Sequence, residues 1–302
     1  FFRYVLWSME NGFFEPVSRF VHTEDLKMPS DVEEIQGAAK AGRAVIIADL
    51  KPEDTQLAGM ISRFRSRLPH ATRVVNLWEY PFNGGCLGCF RCAVSGKCVH
   101  KDGFDDYLRN QIQTADAMVY AFTVSDHSMG PRFKMYDDRQ FCNGHRTVTM
   151  GMPMAYLISG NYSKEFNLQM IVEGRAQVGC NFLAGVATDE LNTDASIDRM
   201  AATLTYALEH SYVPPQNFYG IGGMKIFRDL IWLMQGMMKA DHKFYKSHKQ
   251  YDFPQKSWPT MLKMYLVGAL IANPKLKAKM GNAMNEGMIA PYKKLLENLD
   301  NQ

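Results

Sequence analysis

The chain has 302 residues, of which 46% are hydrophobic, enough to bury a full core in one large domain or in one domain with an extension. Its 34 basic and 31 acidic residues give a formal charge of +3, so a nucleic-acid partner is not expected. No apolar run reaches the roughly 18 residues that a membrane span needs, and we expect a cytoplasmic protein without one. The chain begins with Phe1 rather than Met, which leaves room for an upstream segment.

Residues 1–40 are aromatic at first and then polar, without a periodic pattern, and predict an N-terminal arm. From residue 43 onward, short apolar runs alternate with segments whose apolar residues have helical spacing. The runs predict five strands, in RAVIIADL, RVVNLWEY, AMVYAFTV, TVTMGMPMAYLISG and CNFLAGVA. Because buried strands that alternate with helices are typical of a parallel sheet covered on both faces, we expect residues 41–211 to form one doubly wound α/β domain.

Residues 212–302 lack this alternation, are rich in Met and Lys and contain proline breaks, which predicts a helical extension. Its Met-rich faces favour core or dimer packing over a cofactor site, and we expect a homo-oligomer. The glycine-rich stretch YGIGGMK, residues 219–225, follows two prolines rather than a strand. We therefore interpret it as a turn and not as a phosphate-binding loop.

Four of the six cysteines fall within one loop, CLGCFRCAVSGKC, as Cys86, Cys89, Cys92 and Cys98. This spacing lets one segment place its thiolates around a single soft-metal centre, as in an iron–sulfur cluster. A structural zinc site is an alternative, although such sites usually have two C-x2-C knuckles a dozen or more residues apart. A packed loop without metal stays open too, because free cysteine behaves as a small buried hydrophobic residue. The spacing before the last cysteine does not match bacterial ferredoxins.

Placed after the second predicted strand, this loop resembles that of the iron–sulfur flavoprotein branch of the NADPH-dependent FMN reductase family, including a following stretch, GKCVHKDGFDD. A second stretch, TVSDHSMGPRFKMYDDR from Thr123 to Arg139, is similar to the family loop that borders the flavin ring. The matching positions are Val124, Ser128, Met129, Lys134, Asp138 and Arg139. The resemblance covers roughly residues 43–210 and implies a flavodoxin-like sheet of order 2-1-3-4-5, with ligands at the carboxyl ends of the strands.

The resemblance also implies FMN, a [4Fe-4S] cluster on the four cysteines, and NAD(P)H as a donor. The implied flavin contacts are Lys51, Thr55, Thr123, Val124, Ser125, Ser128, Met129, Gly160, Asn161 and Tyr162. The phosphate loop, ADLKPEDT, departs from the family pattern because Glu53 and Asp54 stand in it and Lys51 is its only cation. His127 in the ring loop is either a hydrogen-bond or proton donor or a solvated loop histidine.

We therefore predict an NAD(P)H-dependent, FMN-containing oxidoreductase that couples the flavin to a [4Fe-4S] cluster and passes electrons to or from a redox partner protein or a small molecule. Two alternatives stay open. One is an FMN-dependent quinone or nitro-compound reductase without a cluster. The other is a non-enzymatic flavodoxin-like binding module whose cysteine loop holds zinc or nothing.

Overall fold

The structure is a computed structural model that describes residues 43–252 and 257–273, together with residues 6, 9, 10, 286, 289, 290, 292, 293 and 297. The predicted N-terminal arm, residues 1–40, therefore lies almost wholly outside the described residues. Most of the last part of the predicted extension, residues 274–302, lies outside them too.

One five-stranded parallel sheet forms the centre of the fold. The strands are β1 (Arg43–Ala48), β2 (Ala71–Asn76), β3 (Ala117–Thr123), β4 (Pro153–Ser159) and β5 (Phe182–Thr188). Their order is β2-β1-β3-β4-β5, which is the flavodoxin-like doubly wound order. The predicted fold class is confirmed, and the point where the strand order reverses lies between β1 and β3.

The three inner strands, β1, β3 and β4, form where short apolar runs are buried on both sides. In β1 the residues from Ala44 to Ala48 are fully buried, and β4 is buried along its whole length. Continuous burial explains why these strands lack apolar–polar alternation. The strand predicted in TVTMGMPMAYLISG begins only at Pro153, since a proline suits the first position of a strand and the residues before it form turns.

Helices cover both faces of the sheet. They are α1 (Thr55–Arg67), α2 (Arg91–Ser95), α3 (Phe104–Tyr107), α4 (Gly130–Arg139), α5 (Phe166–Val178), α6 (Thr193–His210), α7 (Phe218–Leu233), α8 (Lys239–Ser247) and α9 (Trp258–Ile271). Ile46 packs in one core with α1 and α6, and Ile47 packs in the other with α4 and α5. Neighbouring residues of β1 thus serve opposite cores, as the two-residue period of a strand requires.

The glycine-rich stretch 219–225 is not the predicted turn, because it lies inside helix α7. The Asn217 side chain caps this helix by accepting hydrogen bonds from the backbone N–H groups of Tyr219 and Gly220. A Cβ atom on Gly220 would lie 2.7 Å from the carbonyl oxygen of Gln177 at the end of α5. The glycine therefore serves a close approach of two helices. No helix in the described part of the chain is long and apolar enough to span a membrane.

The buried side chain of Leu157 in β4 provides a test of the core. Replacing it by alanine removes buried apolar surface and leaves a cavity, so we expect the free energy of unfolding to fall by about 2–5 kcal/mol in urea titrations. The matched control is Leu191→Ala, since Leu191 is 68% exposed, and it should change stability by no more than about 0.5 kcal/mol. Equal losses of stability in the two variants would contradict the burial of Leu157 in the core.

Candidate functional site

Helix α4 attaches the cysteine loop, residues 77–102, to the sheet. Arg132 and Arg139 are seven residues apart, about two helical turns, and therefore lie on one face of α4. Arg132 donates to the carbonyl oxygen of Leu77 through Nε at 2.9 Å and Nη2 at 2.7 Å, at the start of the loop. Arg139 donates from Nη1 to the carbonyl oxygen of Gly84 at 2.9 Å, just before the first cysteine. The helix thus holds the segment that leads into the cysteines.

A buried ion pair holds the other end of the loop. Asp102 accepts hydrogen bonds from Nη1 and Nη2 of Arg139 at 2.8 and 2.7 Å, and the two side chains are 3% and 1% exposed. The same carboxylate accepts from the backbone N–H groups of Asn83 and Phe104 at 3.1 and 3.3 Å. These hydrogen bonds, that from Arg139 above all, hold the pKa of Asp102 well below its ordinary value. Asp102 therefore joins the chain before the cysteines to the chain after them.

All four predicted cysteines line one cavity of about 350 Å³. Cys86 is exposed, the other three are partly buried, and all four thiols are free. The pKa of Cys92 is raised to about 11, mainly by burial and to a smaller extent by the negative charge of Asp241. Within the described residues, no three Cys, His, Asp or Glu side chains lie close enough together to hold a metal ion.

The loop and its donor set fit an iron–sulfur cluster chemically, because one segment offers four soft thiol ligands to a single cavity. Gly88 and Gly96 have φ values of 61° and 77°, in the left-handed region that favours glycine, and they turn the backbone between successive cysteines. The end of the loop is held by Asp105, which accepts from the backbone N–H of Cys98 at 3.1 Å. Arg109 donates to the carbonyl oxygen of Gly96 at 2.8 Å.

The predicted phosphate loop follows β1 and leads into α1. Asp54 turns its carboxylate onto the backbone N–H of Lys51, at 2.9 Å, and does not cap α1 with its side chain. Lys51 and Thr55, the first residue of α1, are both exposed. The start of α1 is thus a helix N-terminus without a side-chain cap, a position that stabilises an anion.

The sequence analysis missed Asp49, which precedes this loop. Its carboxylate accepts from the indole Nε1 of Trp78 at 2.6 Å and from the backbone N–H of Phe133 at 3.2 Å. Burial is the main cause of a raised pKa for Asp49. The Trp78 ring also contacts two cations, with Lys51 Nζ at 5.8 Å and Arg132 Cζ at 5.2 Å from the ring centroid. These contacts connect the phosphate loop, the cysteine loop and α4.

The predicted ring loop, from Thr123 to Met129, contains a tight turn. Ser125 and Ser128 exchange backbone hydrogen bonds of 2.8 and 3.0 Å, and Asp126 and His127 between them have φ values of 49° and 60°. His127 is not a free loop histidine, because its Nδ1 lies 3.0 Å from both carboxylate oxygens of buried Glu165. The sequence analysis did not identify Glu165 as this partner.

The third predicted loop follows β4 and meets the ring loop. Gly160 has a φ of 110°, and a Cβ atom there would lie 3.0 Å from the Cβ of Val124. Its backbone N–H donates to Asp189 at 2.8 Å. Tyr162, two residues further on beside Asn161, is half-buried, and its burial raises its pKa to about 12. The structure therefore brings Gly160 and Val124 together.

A second cavity, of about 670 Å³, lies between α4, α5 and residues 140–149. Met129 is the one predicted flavin residue that lines it, and none of them lines the cysteine cavity. Phe141, Gly144 and His145 line both cavities and form the wall between them.

The sheet order, the four-cysteine loop after β2 and the three loops at the carboxyl ends of β1, β3 and β4 define a flavodoxin-like protein with a cysteine-lined cavity. More particularly, the sequence is similar to the iron–sulfur flavoprotein of Archaeoglobus fulgidus, at 26% identity over 172 residues, which are 53% of this chain and 77% of that protein. The resemblance predicted from the cysteine motif is thus confirmed. No protein-family model matches the chain.

Solved structures of similar chain path include an oxidoreductase from Corynebacterium diphtheriae, at 16% identity and a TM-score of 0.41, with 56% of this chain and 97% of that one covered. Another is an FMN-dependent NADH-azoreductase from Bacillus anthracis, at 10% identity and a TM-score of 0.36, with 56% and 98% covered. At these scores the solved structures add nothing to the assignment of the fold, which rests on the strand order.

Replacing Asp102 by asparagine leaves the charge of buried Arg139 without its partner. We expect the free energy of unfolding, measured in urea, to fall by about 3–5 kcal/mol. Asp106→Asn is the control, because Asp106 is an exposed acid of the same segment and should have an effect of about 0.5 kcal/mol or less. If both variants were equally stable, the ion pair would not hold the loop.

The same pair predicts a pH dependence of stability. Because the pKa of Asp102 is lower in the folded state, its contribution is complete above the unfolded pKa of about 3.9 and is lost as the pH falls through the folded pKa. The free energy of unfolding of the wild type should therefore fall more between about pH 5 and pH 3 than that of Asp102→Asn. Parallel losses in the two proteins would contradict this.

Proposed function

We propose that this protein is a flavin-dependent oxidoreductase that takes electrons from NAD(P)H through FMN and couples the flavin to a [4Fe-4S] cluster on Cys86, Cys89, Cys92 and Cys98. The supporting observation is that all four cysteines line one cavity in a loop whose start, at Trp78, contacts Asp49 beside the candidate phosphate loop. The similarity to an iron–sulfur flavoprotein supports the same pairing of groups.

The four thiolates would hold the cluster, which when bound passes electrons one at a time. Apolar side chains such as Ala93 and Val99 line the cavity and would exclude water from it. Arg139 also lines the cavity, and its positive charge interacts with Cys98. Its bond to Asp102 keeps that charge in position.

FMN would supply the conversion of a two-electron hydride into one-electron steps. We propose that the uncapped start of α1, with Thr55 and Lys51, binds the phosphate. The ring loop, Thr123–Met129, would border one side of the flavin ring, and the loop with Gly160, Asn161 and Tyr162 would border its other rim. His127, held by Glu165, is a candidate hydrogen-bond donor there.

The electron acceptor in this proposal is a redox partner protein or a small molecule, and the protein works as a homo-oligomer in the cytoplasm. Support for association comes from α9, which exposes Trp258, Leu262, Tyr265 and Leu266 at helical spacing. The six free thiols agree with a reducing compartment.

Purification without oxygen tests this function. We expect flavin absorbance, together with about four iron and four sulfide ions per chain, as a [4Fe-4S] cluster requires. Cys89→Ser should lose the iron and the cluster absorbance, whereas the matched control Cys180→Ser should keep them because Cys180 does not line the cavity. Stoichiometric zinc without iron, or a protein without flavin bands, would refute the proposal. Undiminished quinone reduction by Cys89→Ser would favour a reductase that needs no cluster.

A further inference from the structure

The C-terminal extension packs directly on the cysteine loop. Helix α2, which contains Cys92, contributes the fully buried Ala93 to a small core formed with Ile231, Met238 and Tyr245 of the extension. Cys92 thus lies on a helix that packs with one side against the extension. The family resemblance ends near residue 210 and does not cover these packing residues. The extension therefore packs behind the cavity wall, whose lining residues all lie between Cys86 and His145.

Asp241 of α8 is the most buried polar residue of this contact, with no exposed surface. Its Oδ2 accepts from the backbone N–H of His145 at 3.1 Å and lies 3.0 Å from the ring Nδ1 of the same residue. Its Oδ1 has no hydrogen-bond partner and lies 3.5 Å from Nε of Arg146. A Cβ atom on Gly144 would lie 2.4 Å from Oδ1, so a glycine is needed for the two segments to approach this closely.

A buried carboxylate costs several kcal/mol unless cations and donors compensate it. The groups that face Asp241 here are His145 and Arg146, both from the loop that borders the cysteine cavity. Tyr245, one turn further along α8, donates from its hydroxyl to the carbonyl oxygen of His145 at 3.0 Å. The burial of Asp241 is therefore coupled to one conformation of His145.

His145 lies between the extension and the cysteines. It lines the cysteine cavity, and its ring stacks on Phe90, between Cys89 and Cys92, at a centroid distance of 6.0 Å. On its other side it makes an edge contact with Phe227 of α7 at 5.1 Å. Because Nδ1 is engaged by a carboxylate, the orientation of the imidazole ring is set from the extension.

We propose that the extension completes the cysteine site, with Asp241 as a positioning residue that orients His145 so that the imidazole closes one side of the cysteine cavity. The identity of the group in the cavity rests on the proposed function. The closure itself does not, because the same wall shields the cysteine thiols when no iron is bound.

The closure is tested on iron-free protein with iodoacetamide, by following alkylation of each cysteine by mass spectrometry. Asp241→Ala should increase the alkylation rate of Cys92 by about tenfold, which corresponds to roughly 1.4 kcal/mol in favour of opening. Because the charge of Asp241 also raises the pKa of Cys92, the same increase is required of His145→Gln, which keeps that charge. Alkylation of Cys180, outside the cavity, serves as the internal reference. Glu286→Ala is the matched control, since Glu286 lies on the same extension and its side chain is 61% exposed. Equal Cys92 rates in Asp241→Ala and Glu286→Ala, or a wild-type rate in His145→Gln, would overturn the proposal.

The positioning function is tested on the protein with its cluster, prepared without oxygen. Asp241→Asn and His145→Gln should each bleach in air about tenfold faster than the wild type, and shift the reduction potential of the cluster in the same direction. If Asp241 acts through His145, the double variant should bleach no faster than either single variant. If the double variant bleached faster by the product of the two single effects, or if the reduction potential of the cluster did not change, this function of Asp241 would be overturned.

The two tests separate this inference from the proposed function. A wild-type protein that binds no iron refutes the proposed function, and the alkylation rates then still decide whether the extension closes the cavity. If Asp241→Ala does not fold, as judged by thermal unfolding, the alkylation test is made with Asp241→Asn and His145→Gln, which keep the size of the side chain. Wild-type rates in both variants would overturn the closure.

Discussion

The ion pair between Asp102 and Arg139 is the interaction on which the cysteine loop depends. One carboxylate joins the backbone before the cysteines, at Asn83, to the backbone after them, at Phe104, and one guanidinium connects that junction to α4. Without the pair, the loop would have a buried charge at its base and no fixed separation between its ends. The position of four thiols around one cavity follows from this constraint.

Helix α4 extends the constraint to the rest of the candidate site. Its start follows the ring loop, its Phe133 N–H contacts Asp49 beside the phosphate loop, and Arg132 and Arg139 hold the cysteine loop. A single rigid element thus relates three loops that come from different parts of the chain. Helix α5 packs on the same side of the sheet, and its Arg175 forms an ion pair of 2.5 Å with Asp137 of α4.

The sequence predicted the sheet and the cysteine loop because both depend on local pattern: buried apolar runs for the strands and a compact spacing for the thiols. Pairwise contacts across the fold have no local signal. Asp102 and Arg139 were both within motifs that resemble the family, yet nothing in either motif indicated that they meet, and Glu165 as the partner of His127 came from a separate helix boundary. For residues 219–225 the predicted turn is wrong, because glycines are compatible with a turn as well as with the close helix contact that they make here.

The anchors of the cysteine loop have a consequence for how the protein would mature. Backbone atoms of residues 77, 83, 84 and 104 are held by side chains of α4 and by Asp102, and none of these bonds involves a thiol. In zinc fingers the metal organises an otherwise unfolded chain, so that binding and folding are one event. Here the anchors are side chains and not a metal, so if the loop holds the proposed cluster, we expect the chain to fold before it takes up iron and sulfide.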